Sequence, residues 1–142
     1  SRAAEYGEYF REFLGLGTTI TAEQYQAAGE VRQRFSERFH AVLAEVDAVV
    51  CPAGGCTFPS TAEVLYGGMA AIAPYFGLVQ MQFTVPANFA GTPTLTLPCG
   101  VAPSGTPYAL QLLGRRLSEP MLCRVGHAYE EATAWHERHP SV

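Results

Sequence analysis

Residues 83–114 read FTVPANFAGTPTLTLPCGVAPSGTPYALQLLG, and the order of turn-formers and apolar alternation in this stretch sets the architecture. Thr84 is placed to cap a short helix, since its hydroxyl can accept from a first-turn amide. Pro86 fits that first turn, where its missing N–H costs nothing. Gly91 stands where a left-handed residue closes a helix, and Pro93 forbids continuation. Thr94-Leu95-Thr96-Leu97 then alternates at period two, as a strand with one apolar face does. Pro98-Cys99-Gly100 punctuates it, and Pro103-Ser104-Gly105-Thr106-Pro107 turns the chain into a second strand, Tyr108-Ala109-Leu110-Gln111-Leu112-Leu113. The stretch is a short helix followed by a β-hairpin with a loop longer than a two-residue turn.

Upstream, residues 2–14 (RAAEYGEYFREFL) place Tyr6, Phe10, Phe13 and Leu14 at amphipathic-helix spacing, stopped by Gly15-Leu16-Gly17. Thr21 and Gln24 form a capping box for the next helix. Its buried face is expected at Ala28, Val31, Phe35, Phe39, Val42 and Val46, with His40 toward solvent. Ala48 to Cys51 is a short continuous apolar run closed by Pro52, the pattern of a parallel strand covered on both faces. Residues 52–63 read as a loop, and 64–81 are poorly defined, with Gly67-Gly68 and Pro74 breaking an apolar segment. A last helix starts at Ser118 with Leu122, Val125, Tyr129, Ala132 and His136 inward, Trp135 anchoring it and Pro140 ending it. The order is helix, helix, strand, loop, short helix, strand, strand, helix. That is an α/β chain with helices packed on a mixed sheet.

The 142 residues are one domain's worth, 1–142, and at 48% hydrophobic and 15% charged they can bury a core. A net charge of −4 gives no footprint for nucleic acid or an anionic membrane surface. No run of about eighteen apolar residues suggests a membrane span. The chain opens at Ser1 without Met or a signal-peptide pattern, so further sequence is expected before it. Cys51, Cys56, Cys99 and Cys123 lack the density of a disulfide scaffold and read as reduced thiols of a cytoplasmic protein. All nine basic residues are Arg, and there is no Lys.

The run Phe-Thr-x-Pro-x-Asn-x-x-Gly-x-Pro, then Leu-x-Leu-Pro-Cys-Gly, then Pro-x-x-Leu-Gln-Leu-x-Gly, resembles the C-terminal part of amidase-signature enzymes. This family includes the A subunit of glutamyl-tRNA amidotransferase. The likeness reaches upstream to Asp47-Ala48-Val49-Val50-Cys51-Pro52 and downstream to His127-Ala128-Tyr129-Glu130. It implies a C-terminal fragment of the amidase-signature fold and hydrolysis of carboxamide C–N bonds. The nucleophilic Ser is assisted by a second Ser in a cis peptide and a Lys base, without a cofactor. None of those residues matches a position here: Lys is missing, and Gly54-Gly55-Cys56 is not the family's Gly-Gly-Ser-Ser run. No catalytic residue is therefore expected in this chain. The partners implied are the N-terminal catalytic part of the same enzyme and a small amide, with homo-oligomerisation open.

What this chain is expected to contribute is a wall of the substrate pocket: Met81, Thr84 and Asn88. The glutamine-using branch is expected to carry an Asp three residues before the Thr of Phe-Thr-x-Pro. Here that position is Met81, which favours a more apolar amide over one with a free amino group. The plainer alternatives are core filling for Met81 and helix capping or loop hydrogen bonds for Thr84 and Asn88. Ser36, Ser60, Ser104 and Ser118 read as caps and loop residues.

Two further readings stay open. A non-catalytic interaction module explains the same strands without chemistry. A Cys99 nucleophile with His127 as base and Asp47 or Glu130 orienting it is a rival hydrolase, against which Cys99 reads as a small strand residue. No metal site is expected: His136-Glu137-Arg138-His139 lacks i,i+4 histidines, and Cys51 and Cys56 have no second ligand pair. Arg115-Arg116 reads as a solvated pair or a helix C-terminal cap, with contact to a substrate carboxylate as the alternative.

Overall fold

A computed structural model of the chain describes residues 2–54, 61–75, 81–103 and 105–138. Helix α1 spans Glu8–Gly15, after a 3-10 turn at Ala3–Glu5 and before another at Leu16–Thr19. Helix α2 runs Ala22–Ala44, and its start follows from sequence alone. The Thr21 hydroxyl accepts from Gln24 N at 3.2 Å, and the Gln24 side chain accepts from Thr21 N at 2.9 Å. Strand β1 (Val49–Pro52) follows, then short helices α3 (Ala62–Tyr66), which begins inside the expected loop 52–63, and α4 (Gly68–Ile72), which lies in the poorly defined 64–81. Residues 55–60 and 76–80 of the expected loop and broken segment lie outside the described residues.

A 3-10 turn at Met81–Phe83 leads into α5 (Val85–Ala90), closed by Gly91 at φ 69°, ψ 44°, the left-handed geometry that its position demands. The hairpin is β2 (Thr94–Val101) and β3 (Pro107–Leu113), followed by α6 (Glu119–Ala132). Strand β2 continues through Pro98-Cys99-Gly100 because Cys99 is the extra residue of a bulge between the Pro98↔Ala109 and Gly100↔Tyr108 pairs.

The sheet order is β1-β3-β2, and both pairings are antiparallel. Helices packed on a sheet are thus as expected, but β1 is not a doubly covered parallel strand. It runs antiparallel to β3 at the sheet edge, and Val50 is 64% exposed. Strand β3 is central and packed on both faces. On one face Leu97, Leu112 and Leu122 form a cluster with Leu95, Leu110, Met121 and Tyr129 against it. Gly126 lets α6 lie close over β2, since a Cβ there would meet Leu95 at 2.5 Å. On the alternate face Gln111 and Leu113 are buried, as are Leu43 of α2 and Ala87 and Ala90 of α5.

The inner face of α2 is rotated from the expected one. Leu43 is 1% exposed, while Val31, Val42 and Val46 are exposed. Helix α5 explains the shift: the Phe35 and Phe89 rings are 5.7 Å apart, Arg32 Nε donates to Phe89 O at 2.8 Å, and His40 Nε2 meets Ala90 O at 3.1 Å. His40 is therefore half-buried against a helix end, not solvent-facing. In α6, Leu122 and Gly126 are buried, but Val125 and Ala132 are exposed and the helix ends before His136. Trp135 sits half-buried on a 3-10 turn beyond it, with the Arg138 guanidinium 4.7 Å from its ring centroid.

Candidate functional site

The expected pocket-wall residues fall on one continuous piece, the Met81–Phe83 turn and α5. Met81 opens the turn; its backbone is described and its side chain is not. Thr84 holds the N-cap position, but at φ −113°, ψ −42° its side chain makes no capping hydrogen bond. The capping role expected for its hydroxyl is thus not what the structure gives. Asn88 lies one helical turn on, its N–H directed at Thr84 O at 3.4 Å, so the two side chains share a helix face. Asn88 is exposed and borders a shallow hollow of about 290 Å³ with Arg32, Val85 and Phe89.

Behind the turn stands a group that periodicity did not single out. Gln111, 5% exposed at the centre of β3, donates from Nε2 to Phe83 O at 2.8 Å. The same nitrogen lies 3.7 Å from Cys51 Sγ on the neighbouring strand, its register partner. A carbonyl only accepts, so the amide end facing Phe83 is the NH₂. Burial pushes the Cys51 thiol above its usual range, and the Gln111 contact opposes this in part. The signal in sequence was a lone amide among leucines, in Ala109-Leu110-Gln111-Leu112-Leu113.

On the α6 side of the sheet a second hollow of about 650 Å³ opens beside β1, lined by Val50, Pro52, Cys99, Tyr108 and Leu110 among others. It is predominantly apolar, and no histidine lines it among the described residues. Cys99 reaches it because the bulge turns that residue out of the ladder. His127 is exposed on α6, with no hydrogen bond to Cys99 among the described residues. Asp47 is 3.7 Å from the Arg115 guanidinium, so the expected Cys–His–acid set is not brought together.

Other candidates resolve into local structure. Arg115 donates to Val46 O at 3.1 and 3.3 Å, a carbonyl two residues past the end of α2, so it ties down the turn after the helix and does not cap the helix itself. The Ser36 hydroxyl donates to Arg32 O and that of Ser118 to Arg115 O, both at 2.7 Å, so Ser118 begins α6 without the expected side-chain cap. Ser60 and Ser104 lie outside the described residues, as do Cys56 and His139. Cys51, Cys99 and Cys123 are free thiols. Among the described residues no three His, Cys, Asp or Glu side chains converge as a metal site would need, and no helix is long and apolar enough to cross a membrane.

Comparison with known proteins supplies the context that this surface lacks alone. The Amidase family model matches residues 1–123. The A subunit of glutamyl-tRNA(Gln) amidotransferase from Picosynechococcus sp. is 38% identical over the whole chain, which covers 29% of that protein. A putative amidase, AmiD, of Mycobacterium bovis is 34% identical, again with 100% of this chain covered and 29% of the relative. Among solved structures, a 6-aminohexanoate cyclic dimer hydrolase complexed with substrate aligns over 94% of this chain and 30% of its own, with TM-score 0.76 at 22% identity, a likeness of fold. The A subunit of glutamyl-tRNA(Gln) amidotransferase from Thermotoga maritima aligns over 90% of this chain and 28% of its own, with TM-score 0.56 at 27% identity. The chain thus spans under a third of the length of the relatives it matches, at 29%. With the family model matching residues 1–123 and relatives above 30% identity along the whole chain, the chain belongs to the amidase-signature family.

Proposed function

We propose that these residues are the C-terminal segment of an amidase that hydrolyses carboxamide C–N bonds, with the reactive groups in sequence upstream of residue 1. A Ser hydroxyl, relieved of its proton by a Lys through a second Ser in a cis peptide, attacks the carboxamide carbon. The C–N bond breaks as the amine takes up the proton, and water then cleaves the acyl-enzyme ester. Backbone amides hold the oxyanion. The observation that carries this reading is a family match over residues 1–123 in a chain with no Lys. The edge of β1 that no strand pairs among the described residues, the exposed Val50, and the exposed Phe10, Phe13 and Leu14 on α1 with Tyr6 just before it support this reading. Unpaired strand edges and contiguous apolar faces are surfaces that a larger core covers.

Within that enzyme the Met81–Phe83 turn, Thr84 and Asn88 form one wall of the substrate pocket. Met81, standing where an acidic residue would pair with a free amino group, favours an apolar amide over glutamine. The test is ammonia release from a set of primary amides. The 142-residue chain alone is expected to give none, and the same chain expressed with its upstream sequence is expected to turn over apolar amides faster than glutamine. Turnover by the chain alone overturns the assignment of chemistry. A preference for glutamine overturns the reading of Met81.

A further inference from the structure

We propose that Gln111 is a positioning residue for the substrate pocket: its side-chain amide, buried in the centre of the sheet, fixes where the Met81–Phe83 turn and Thr84 stand. The proposal rests on the reading that this turn is a pocket wall. A buried primary amide in a strand otherwise rich in Ala and Leu is costly unless it is bonded, and Leu or Met would fill the site at lower cost. The bond it makes is not local. Its acceptor, Phe83 O, is 28 residues away in sequence and on a different layer. Phe83 is the last residue of the 3-10 turn and immediately precedes Thr84, so the tether acts at the junction between the turn and α5.

The other contacts described for Phe83 and Thr84 are weaker. Thr84 makes no side-chain cap, and the Asn88-to-Thr84 backbone bond is long at 3.4 Å. The second contact to Phe83 O, from Cys51 Sγ, is 4.0 Å. The Gln111 bond at 2.8 Å is the short one. The anchor itself is fixed: β3 pairs on both sides, with Cys51 and Thr96 as the register partners of Gln111. Strand β3 therefore sets the height of the turn over the sheet, and losing the tether lets the wall shift. Misplacements of about 1 Å cost catalysis up to about a hundredfold.

The experiment uses the complete enzyme containing this chain, as wild type, Gln111→Met (equal length, no donor), Gln111→Asn (donor kept, too short to reach) and Leu112→Ala as a control that thins the opposite face. Steady-state hydrolysis of an apolar amide and backbone hydrogen exchange are measured on each. Both Gln111 variants are expected to raise KM about tenfold with kcat within about threefold. They are also expected to speed exchange in residues 81–90 while residues 22–44 and 119–132 keep wild-type protection. Leu112→Ala is expected to weaken protection broadly and leave KM unchanged. Either Gln111 variant that folds is decisive. Wild-type KM in a folded Gln111 variant, or a loss of protection spread evenly over the chain, overturns the proposal. Loosened exchange at 81–90 with unchanged KM overturns it too, because the turn is then anchored but forms no wall. If the wild-type enzyme hydrolyses no amide, the pocket reading itself has failed, and the exchange data alone still decide whether Gln111 anchors the turn.

Discussion

Replacing Val50 with Asp probes the surface on which the proposed enzyme depends. Val50 is 64% exposed, yet it shares a sheet face with Leu112, its register partner, and lines the apolar hollow beside β1. If that face stayed in water, the cost of Val50→Asp would be the strand preference alone, about 1 kcal/mol or less. If upstream sequence covers it, two terms are added. Covering the exposed two-thirds of the side chain gains about 1 kcal/mol, taken from about 1.5 kcal/mol for complete burial of Val, and this gain is lost. A carboxylate trapped in an apolar contact costs several kcal/mol more. The expected total in the complete enzyme is about 3–5 kcal/mol. Val50→Thr, of equal shape, is expected to cost about 1–2 kcal/mol. Urea denaturation read by fluorescence and by amide hydrolysis measures both variants. Stability within about 1 kcal/mol of wild type and full activity in a complete enzyme carrying Val50→Asp would mean that nothing covers this face and that β1 is a true outer edge.

Two other outcomes follow from packing and titration. Leu122, 2% exposed in the cluster with Leu97 and Leu112, is expected to cost about 2–5 kcal/mol as Leu122→Ala, whereas Val125→Ala on the exposed flank of α6 costs within about 1 kcal/mol by the same unfolding assay. Burial raises the Cys51 thiol, so its neutral form is the one that the fold stabilises. That contribution is full below the unfolded thiol's pKa and is lost as pH rises through the raised folded value. Alkylation with iodoacetamide, followed by mass spectrometry from pH 7 to about pH 10, is expected to modify exposed Cys123 before Cys51 throughout. Equal rates at the two would contradict the placement of Cys51.

Much of this was legible in the residues, and the departures have particular causes. The Thr21–Gln24 capping box, the left-handed Gly91 and the hairpin order were readable because each is a local geometric requirement. The rotation of α2 was not. Its contact with α5 is made partly by the polar side chains of Arg32 and His40 meeting carbonyls, and a hydropathy pattern counts such residues as wet. The direction of β1 was also hidden, since the continuous apolar run Ala48 to Cys51 has the composition of a central strand although β1 lies at the sheet edge among the described residues. The bulge at Cys99 made a continuous strand look like a strand and a turn. For the proposed pocket wall, Thr84 and Asn88 were suggested by the family pattern, while the contact of Gln111 with Phe83 became visible only in the folded chain.

If residues 1–142 supply scaffold and pocket wall but no reactive group, the nucleophile must be found elsewhere in the complete enzyme. A fluorophosphonate phosphonylates an activated serine, and peptide mass spectrometry locates the adduct. One adduct is expected, on a serine upstream of residue 1, with loss of amide hydrolysis in step with labelling. An inactivating adduct on any residue from 1 to 142 would place the chemistry inside this chain and end the proposal.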